Sequence, residues 1–129
     1  MGLGVGIPFI AEGALTAGMA VMVGTAYPQV KVTSGANVQV LGFALNDAAD
    51  GQEVAIHPVT DGSAKCKAIA GASFSRGDML MAEGADGRLK ELAADNSNQF
   101  GCGIALQDGA DGQLVDILPA FWASETALT

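Results

Sequence analysis

The sequence is short of the side chains on which most protein chemistry depends. It has one histidine, two cysteines, and six lysines and arginines against fourteen aspartates and glutamates. Aromatic residues are scarce as well, with one Trp, one Tyr and five Phe in 129 residues. Each shortage excludes a class of function. Nucleic-acid binding needs clustered Lys and Arg to neutralise phosphates, whereas here the six basic residues are scattered and the formal charge is −8. A carbohydrate-binding module would normally display several exposed Trp or Tyr. Cys66 and Cys102 are too few for a disulfide scaffold and lack the paired spacing of a zinc site; a reducing compartment favours two buried free thiols. Any catalytic dyad or triad with a histidine base would have to use His57.

Long apolar runs are missing too. No stretch approaches the roughly 18 uninterrupted apolar residues of a membrane span. The N-terminal MGLGVGIPFIAEG has no basic region ahead of an apolar one and no small-residue cleavage signature, so no secretion signal is expected. Gly6 stands where a myristoylation motif needs Ser or Thr. These readings predict synthesis in the cytoplasm and no membrane partner.

What the chain has is glycine, 18 residues of it, and a hydrophobic half made mostly of Ala, Val, Leu and Met. Glycine weakens helix interiors and supplies the positive φ of tight turns, which favours many short strands. An all-β fold is expected. A chain of this length can bury about two thirds of its unfolded surface, enough for one ordinary core built from small side chains.

Self-similarity sharpens that expectation. The stretch GFALNDAADGQEVAIHP, Gly42 to Pro58, lies 61 positions ahead of GIALQDGADGQLVDILP, Gly103 to Pro119, and 11 of the 17 positions are identical. Upstream, ALTAGMAVMVG from Ala14 resembles SFSRGDMLMAEG from Ser73, with Gly18 facing Gly77, and Val30 to Val32 resembles the segment from Leu89. The chain therefore reads as two tandem pseudo-repeats, about residues 14–59 and 73–120, inside a single β domain spanning 13–120. Two units predict about eight strands.

The best-matched segment reads as a hairpin, an apolar run followed by a Gly-bearing polar turn and a strictly alternating strand. In that second strand Val54 and Ile56, or Val115 and Ile117, form the core side, being apolar in both copies. The opposite side diverges: Glu53, Ala55 and His57 become Leu114, Asp116 and Leu118. Leu114 and Leu118 are expected to be covered, either by the C-terminal segment or by another chain. Residues 1–12 read as an extended arm and 121–129 as a tail that opens on Phe121-Trp122, the densest aromatic patch.

No constellation of catalytic groups emerges. His57 is replaced by Leu in the sister copy, which points to packing. The turns Asn46 to Gly51 and Gln107 to Gly112 faintly resemble calcium loops, but Ala48 and Gly109 leave ligand positions empty and no Glu closes them. Asp47 and Asp108 lack the Asp-Thr-Gly or Asp-Ser-Gly of aspartic proteases, and the hairpin tips lack the Lys of lipoyl or biotinyl carriers. Gly2 to Gly6 neither follows a strand nor opens a helix, so it is no phosphate loop. No catalytic residue, cofactor or metal site is expected.

The order of these features resembles the small phage capsid decoration, or cement, proteins: Ala-Gly or Arg-Gly opening each unit at Gly18 and Gly77, a Gly-Phe-Ala-Leu or Gly-Ile-Ala-Leu strand, an Ala-Asp-Gly-Gln turn, and an alternating Val-X-Ile strand. The resemblance implies a compact β-barrel or sandwich, and a non-enzymatic virion protein on the capsid exterior. It would bridge subunits of the major capsid protein as a small homo-oligomer, with a trimer favoured and a dimer possible. It also implies that the arm reaches onto the capsid lattice. The candidate partner-binding residues are Ile7, Pro8, Phe9, Ile10, Leu114, Leu118, Phe121 and Trp122. The alternatives are a tail or baseplate adaptor and a carbohydrate-binding β-module.

Overall fold

The computed structural model describes residues 6–35, 38–92 and 100–123, with backbone alone at Trp122 and Ala123. No helix occurs among them. Ten strands do: β1 (Ile7–Ala11), β2 (Ala20–Val23), β3 (Gln29–Val32), β4 (Gly42–Ala44), β5 (Glu53–Pro58), β6 (Cys66–Ile69), β7 (Met79–Ala82), β8 (Leu89–Glu91), β9 (Phe100–Ala105) and β10 (Leu114–Ala123). The first five close into a barrel of order β1-β3-β2-β4-β5, and the last five form a sheet of order β6-β10-β9-β7-β8.

The same order runs through both halves once β1 is set against β6, and so on to β5 against β10. Registers match as well. Val21 pairs with Val32 as Leu80 pairs with Glu91, Ala44 with Ile56 as Ala105 with Ile117, and Ile10 with Glu53 as Ile69 with Leu114. Positions 59 apart correspond over the first three strands of each half, and positions 61 apart over the last two.

Two strands were not expected, and they hold the same place in each half. Residues 7–11, read above as part of an extended arm, form β1, which pairs antiparallel with β5 and parallel with β3 and so closes the barrel. The segment between the repeats supplies β6, which pairs with β10. An Ile-Pro-Phe-Ile-Ala stretch is extended whether or not it is paired, and its partner lies some 40 residues downstream, so no hairpin signal announces it. In the second half the corresponding seam, β6 against β8, is held by one parallel bridge, Ala70 to Leu89.

The turns explain the repeated polar residues. Asp47 Oδ1 accepts the backbone N–H of Ala17, and Asp108 Oδ1 that of Arg76, each at 2.8 Å. The Gln52 and Gln113 side chains accept from Ala49 and Ala110. Gly51 and Gly112 both take φ of 85°, which an L side chain rarely adopts, and so fix the tip of each hairpin. Asp47, Asp50 and Asp108 are thus committed to backbone donors, and Asp111 pairs with the Arg88 guanidinium.

Two apolar clusters fill the interior. One lies inside the barrel, with Leu15, Val21, Val30, Val54 and Ile56. The other belongs mainly to the second sheet, with Leu80, Leu89, Val115 and Ile117, and it takes in Ala20, Val40, Phe43 and Val59 from the first half. Phe43, wholly buried, is therefore a first-half side chain in a core shared with the second. Thr33 is also fully buried, and its hydroxyl donates to the Gly84 carbonyl at 2.8 Å, which satisfies it across the same junction.

Candidate functional site

Alternation along β1 sets which of its residues face out. Phe9 and Ala11 pack on the barrel core, so Pro8 and Ile10 face away from it. Ile7, at the strand start and opposite Ile56, is about half exposed. Ile10 is half-buried beside its cross-strand neighbour Glu53.

On β10, Val115 and Ile117 face in, which leaves Leu114, Asp116 and Leu118 on the outer side. Asp116 sits between Lys67, 2.7 Å away, and Lys65, 3.2 Å away. Hydrogen bonds from these two ammonium groups hold its carboxyl below the usual range. Leu114 is 47% exposed, yet its Cδ1 lies against Gly18 of the first half, so part of its cover comes from neither the tail nor a second chain. Leu118 is half-buried opposite Ile104.

Farther along β10 the strand shifts register between Pro119 and Trp122 against β9. Phe121 is 46% exposed and stacks on Phe100, with ring centroids 6.5 Å apart. The Trp122 backbone pairs with Gly101, while its side chain, residues 1–5 and residues 124–129 lie outside the described residues. The eight sequence candidates thus fall into two groups, one on β1 of the barrel and one on β10 of the second sheet.

A third exposed apolar feature had no sequence signal beyond a lone tyrosine. The turn between β2 and β3 carries Tyr27, 94% exposed, and β2 ends on Val23, 65% exposed. Met22, Val23, Gln39 and Leu41 line an adjoining groove of about 290 Å³. Glu12 secures this turn by accepting the Thr25 N–H at 2.7 Å and the Thr25 hydroxyl at 2.8 Å, and those bonds hold its carboxyl below the usual range.

The lone histidine and the two cysteines lie in the interior. His57 is buried, with Nε2 2.9 Å from the Asp61 carbonyl oxygen. Burial pushes the Cys66 thiol up to about 12, with the Asp116 carboxylate acting in the same direction, and burial raises Cys102 as well. Both are free. Among the described residues no three His, Cys, Asp or Glu side chains gather as metal ligands.

An all-β chain of this kind, with rigid turns and apolar groups set on its outside, has the build of a structural binding protein. The family model of phage cement proteins matches residues 2–118, and the chain belongs to that family of capsid-associated structural proteins of the virion. Among solved structures it is similar to the N base of the head fiber protein gp8.5 of bacteriophage phi29, with a TM-score of 0.66, 23% identity, and coverage of 90% of this chain and 93% of that one. No curated protein matches. At that identity the structural likeness speaks for the fold.

Proposed function

We propose that this protein decorates the outer surface of a phage capsid and stabilises it by bridging neighbouring subunits of the major capsid protein, acting as a small homo-oligomer, with a trimer favoured. The observation that carries this reading is the family match over residues 2–118. The surface is consistent with it: apolar groups at Tyr27 and Val23, at Ile7 and Pro8, and at Phe121 stand exposed on the β frame. Weak contacts repeated over a symmetric shell become collectively strong, so each copy can be small. The acidic surface keeps densely arrayed copies soluble and repels DNA. We also read the two halves as diverged copies of one unit, supported by their matching strand order and registers.

Cosedimentation of the purified chain with heads that lack it tests the reading. Saturable binding to these heads, in a fixed ratio to the major capsid protein, is expected. Bare heads together with binding to tails or baseplates would replace this reading with the adaptor one.

A further inference from the structure

The contact between the two halves is one-sided. Gly18 of the first half lies under the Ile69–Leu114 pair of the second; a Cβ there would come 2.7 Å from Leu114 Cδ1 and 3.1 Å from Ile69 Cγ1. Gly87, on the second half's β7–β8 turn, lies against Met19 and Val32 of the first, and its carbonyl accepts from Ala20 N at 2.9 Å. If the halves were related by a twofold axis, the matching residues would meet as well: Gly77 against Ile10 and Glu53, and the Tyr27-Pro28 turn against Asp78 and Glu91. They do not. A Cβ on Gly77 would find nothing within 4 Å, and Tyr27 is 94% exposed. The halves join front to back, a heterologous contact of the kind that goes on repeating unless something stops it.

Among the described residues the front of the second half and the back of the first therefore meet nothing, and at both the residues change character. Where the first half offers Met19 and Val32, the second has Asp78 and Glu91; where the second offers Leu114, the first has Glu53. We infer that these three carboxylates keep the front-to-back contact from repeating between molecules, so that the two ends are latent docking faces for a second copy of this chain. Repeating the contact would bury Glu53 over Gly77, and Asp78 and Glu91 beneath the Pro28 turn. Arg76, adjacent to Gly77, can neutralise at most one of them; Asp78 Oδ2 already accepts the Ser75 N–H at 2.8 Å, but one amide bond does not neutralise it, and a carboxylate buried without a countercharge is costly. The Pro28 carbonyl already accepts from Ile10 N, but it keeps a second lone pair for an incoming donor. Terminal units of repeat proteins are closed by polar outer faces for the same reason. This inference rests on the matched geometry of the halves and not on the capsid reading.

The test replaces each carboxylate with the residue of the sister half, in the full chain: Glu53→Leu at one end, Asp78→Met with Glu91→Val at the other, and all three together. In sedimentation velocity the triple variant is expected to self-associate at least tenfold more tightly than the unsubstituted chain and to grow with concentration. The two one-ended variants are expected to stay at the unsubstituted state alone and to form a discrete complex when mixed. A folded triple variant that sediments like the unsubstituted chain would overturn the inference. So would one-ended variants that associate alone as strongly as the triple one, since that is indiscriminate apolar adhesion. The converse variant, Met19→Asp with Leu114→Glu, installs the outer residues at the inner contact. It is expected to melt lower than the unsubstituted chain, and unchanged melting would count equally against the inference.

Discussion

Phe43→Ala is the sharpest probe of how the two halves depend on each other. Phe43 sits on β4 of the barrel, has no exposed surface, and packs in the cluster that holds Leu80, Leu89, Val115 and Ile117 of the second sheet. Truncating a buried Phe to Ala removes its transfer free energy and leaves a cavity, a loss of about 3–5 kcal/mol. Small neighbours such as Ala20, Ala68 and Ala82 have few rotamers with which to close the gap, which places the loss toward the upper end. For a domain of this size each kcal/mol shifts melting by roughly 3–5 °C, so a drop of 10 °C or more is expected. Scanning calorimetry should show a single transition moved down as a whole, because the shared cluster couples the halves. Two separated transitions, with only the barrel weakened, would refute a common core; so would a loss below about 1 kcal/mol in urea titration.

Other consequences follow from the same contacts. Deleting residues 1–11 removes β1 and opens the barrel, so the truncated chain should lose cooperative melting and not merely a capsid contact; an unchanged melting curve would restore the free-arm reading. Glu12, Asp61 and Asp116 all have carboxyls held below their ordinary values by hydrogen bonds from Thr25, Ser63, and Lys67 with Lys65, respectively. A depressed folded value stabilises above the unfolded one and is lost as pH falls through the folded one. Melting temperature should therefore decline as pH drops below about 4, with a shallower decline in Asp116→Asn, and a flat profile would contradict the assignment. The buried, raised thiols of Cys66 and Cys102 should react with a disulfide reagent at pH 8 only after denaturant is added, whereas prompt reaction in the folded chain would mean the core is open there.

The hairpins were the most legible part of the fold, because everything that defines them is local. Gly42 to Pro58 and Gly103 to Pro119 carry the apolar run, the turn glycine and the alternating strand in one continuous stretch, and they became β4–β5 and β9–β10. Val54, Ile56, Val115 and Ile117 face the core as the alternation required. β1 and β6 were not legible, since each is short and pairs with a strand more than 40 residues away. That is also why residues 7–11 read as an arm.

The outer surface was harder to read. Divergence between Glu53 and Leu114 flagged a real difference, but only the structure showed that Leu114 leans on Gly18 of the other half. Tyr27 gave no signal, because a single tyrosine in a turn has no pattern to betray it. Aspartate serves as metal ligand and catalyst as well as turn residue; Asp47 and Asp108 lack the motifs of the first two, and each accepts a backbone N–H. Identical residue types serve both roles, and the partner 30 or so positions upstream decides between them.

Bridging of capsid subunits on the outer surface is the central functional proposal. A cryo-electron microscopy reconstruction of heads saturated with the protein tests it most directly. Bridging predicts density for the whole β domain on the outer surface, touching at least two neighbouring major capsid subunits. Density confined to one subunit, to the inner surface or to the tail would contradict it.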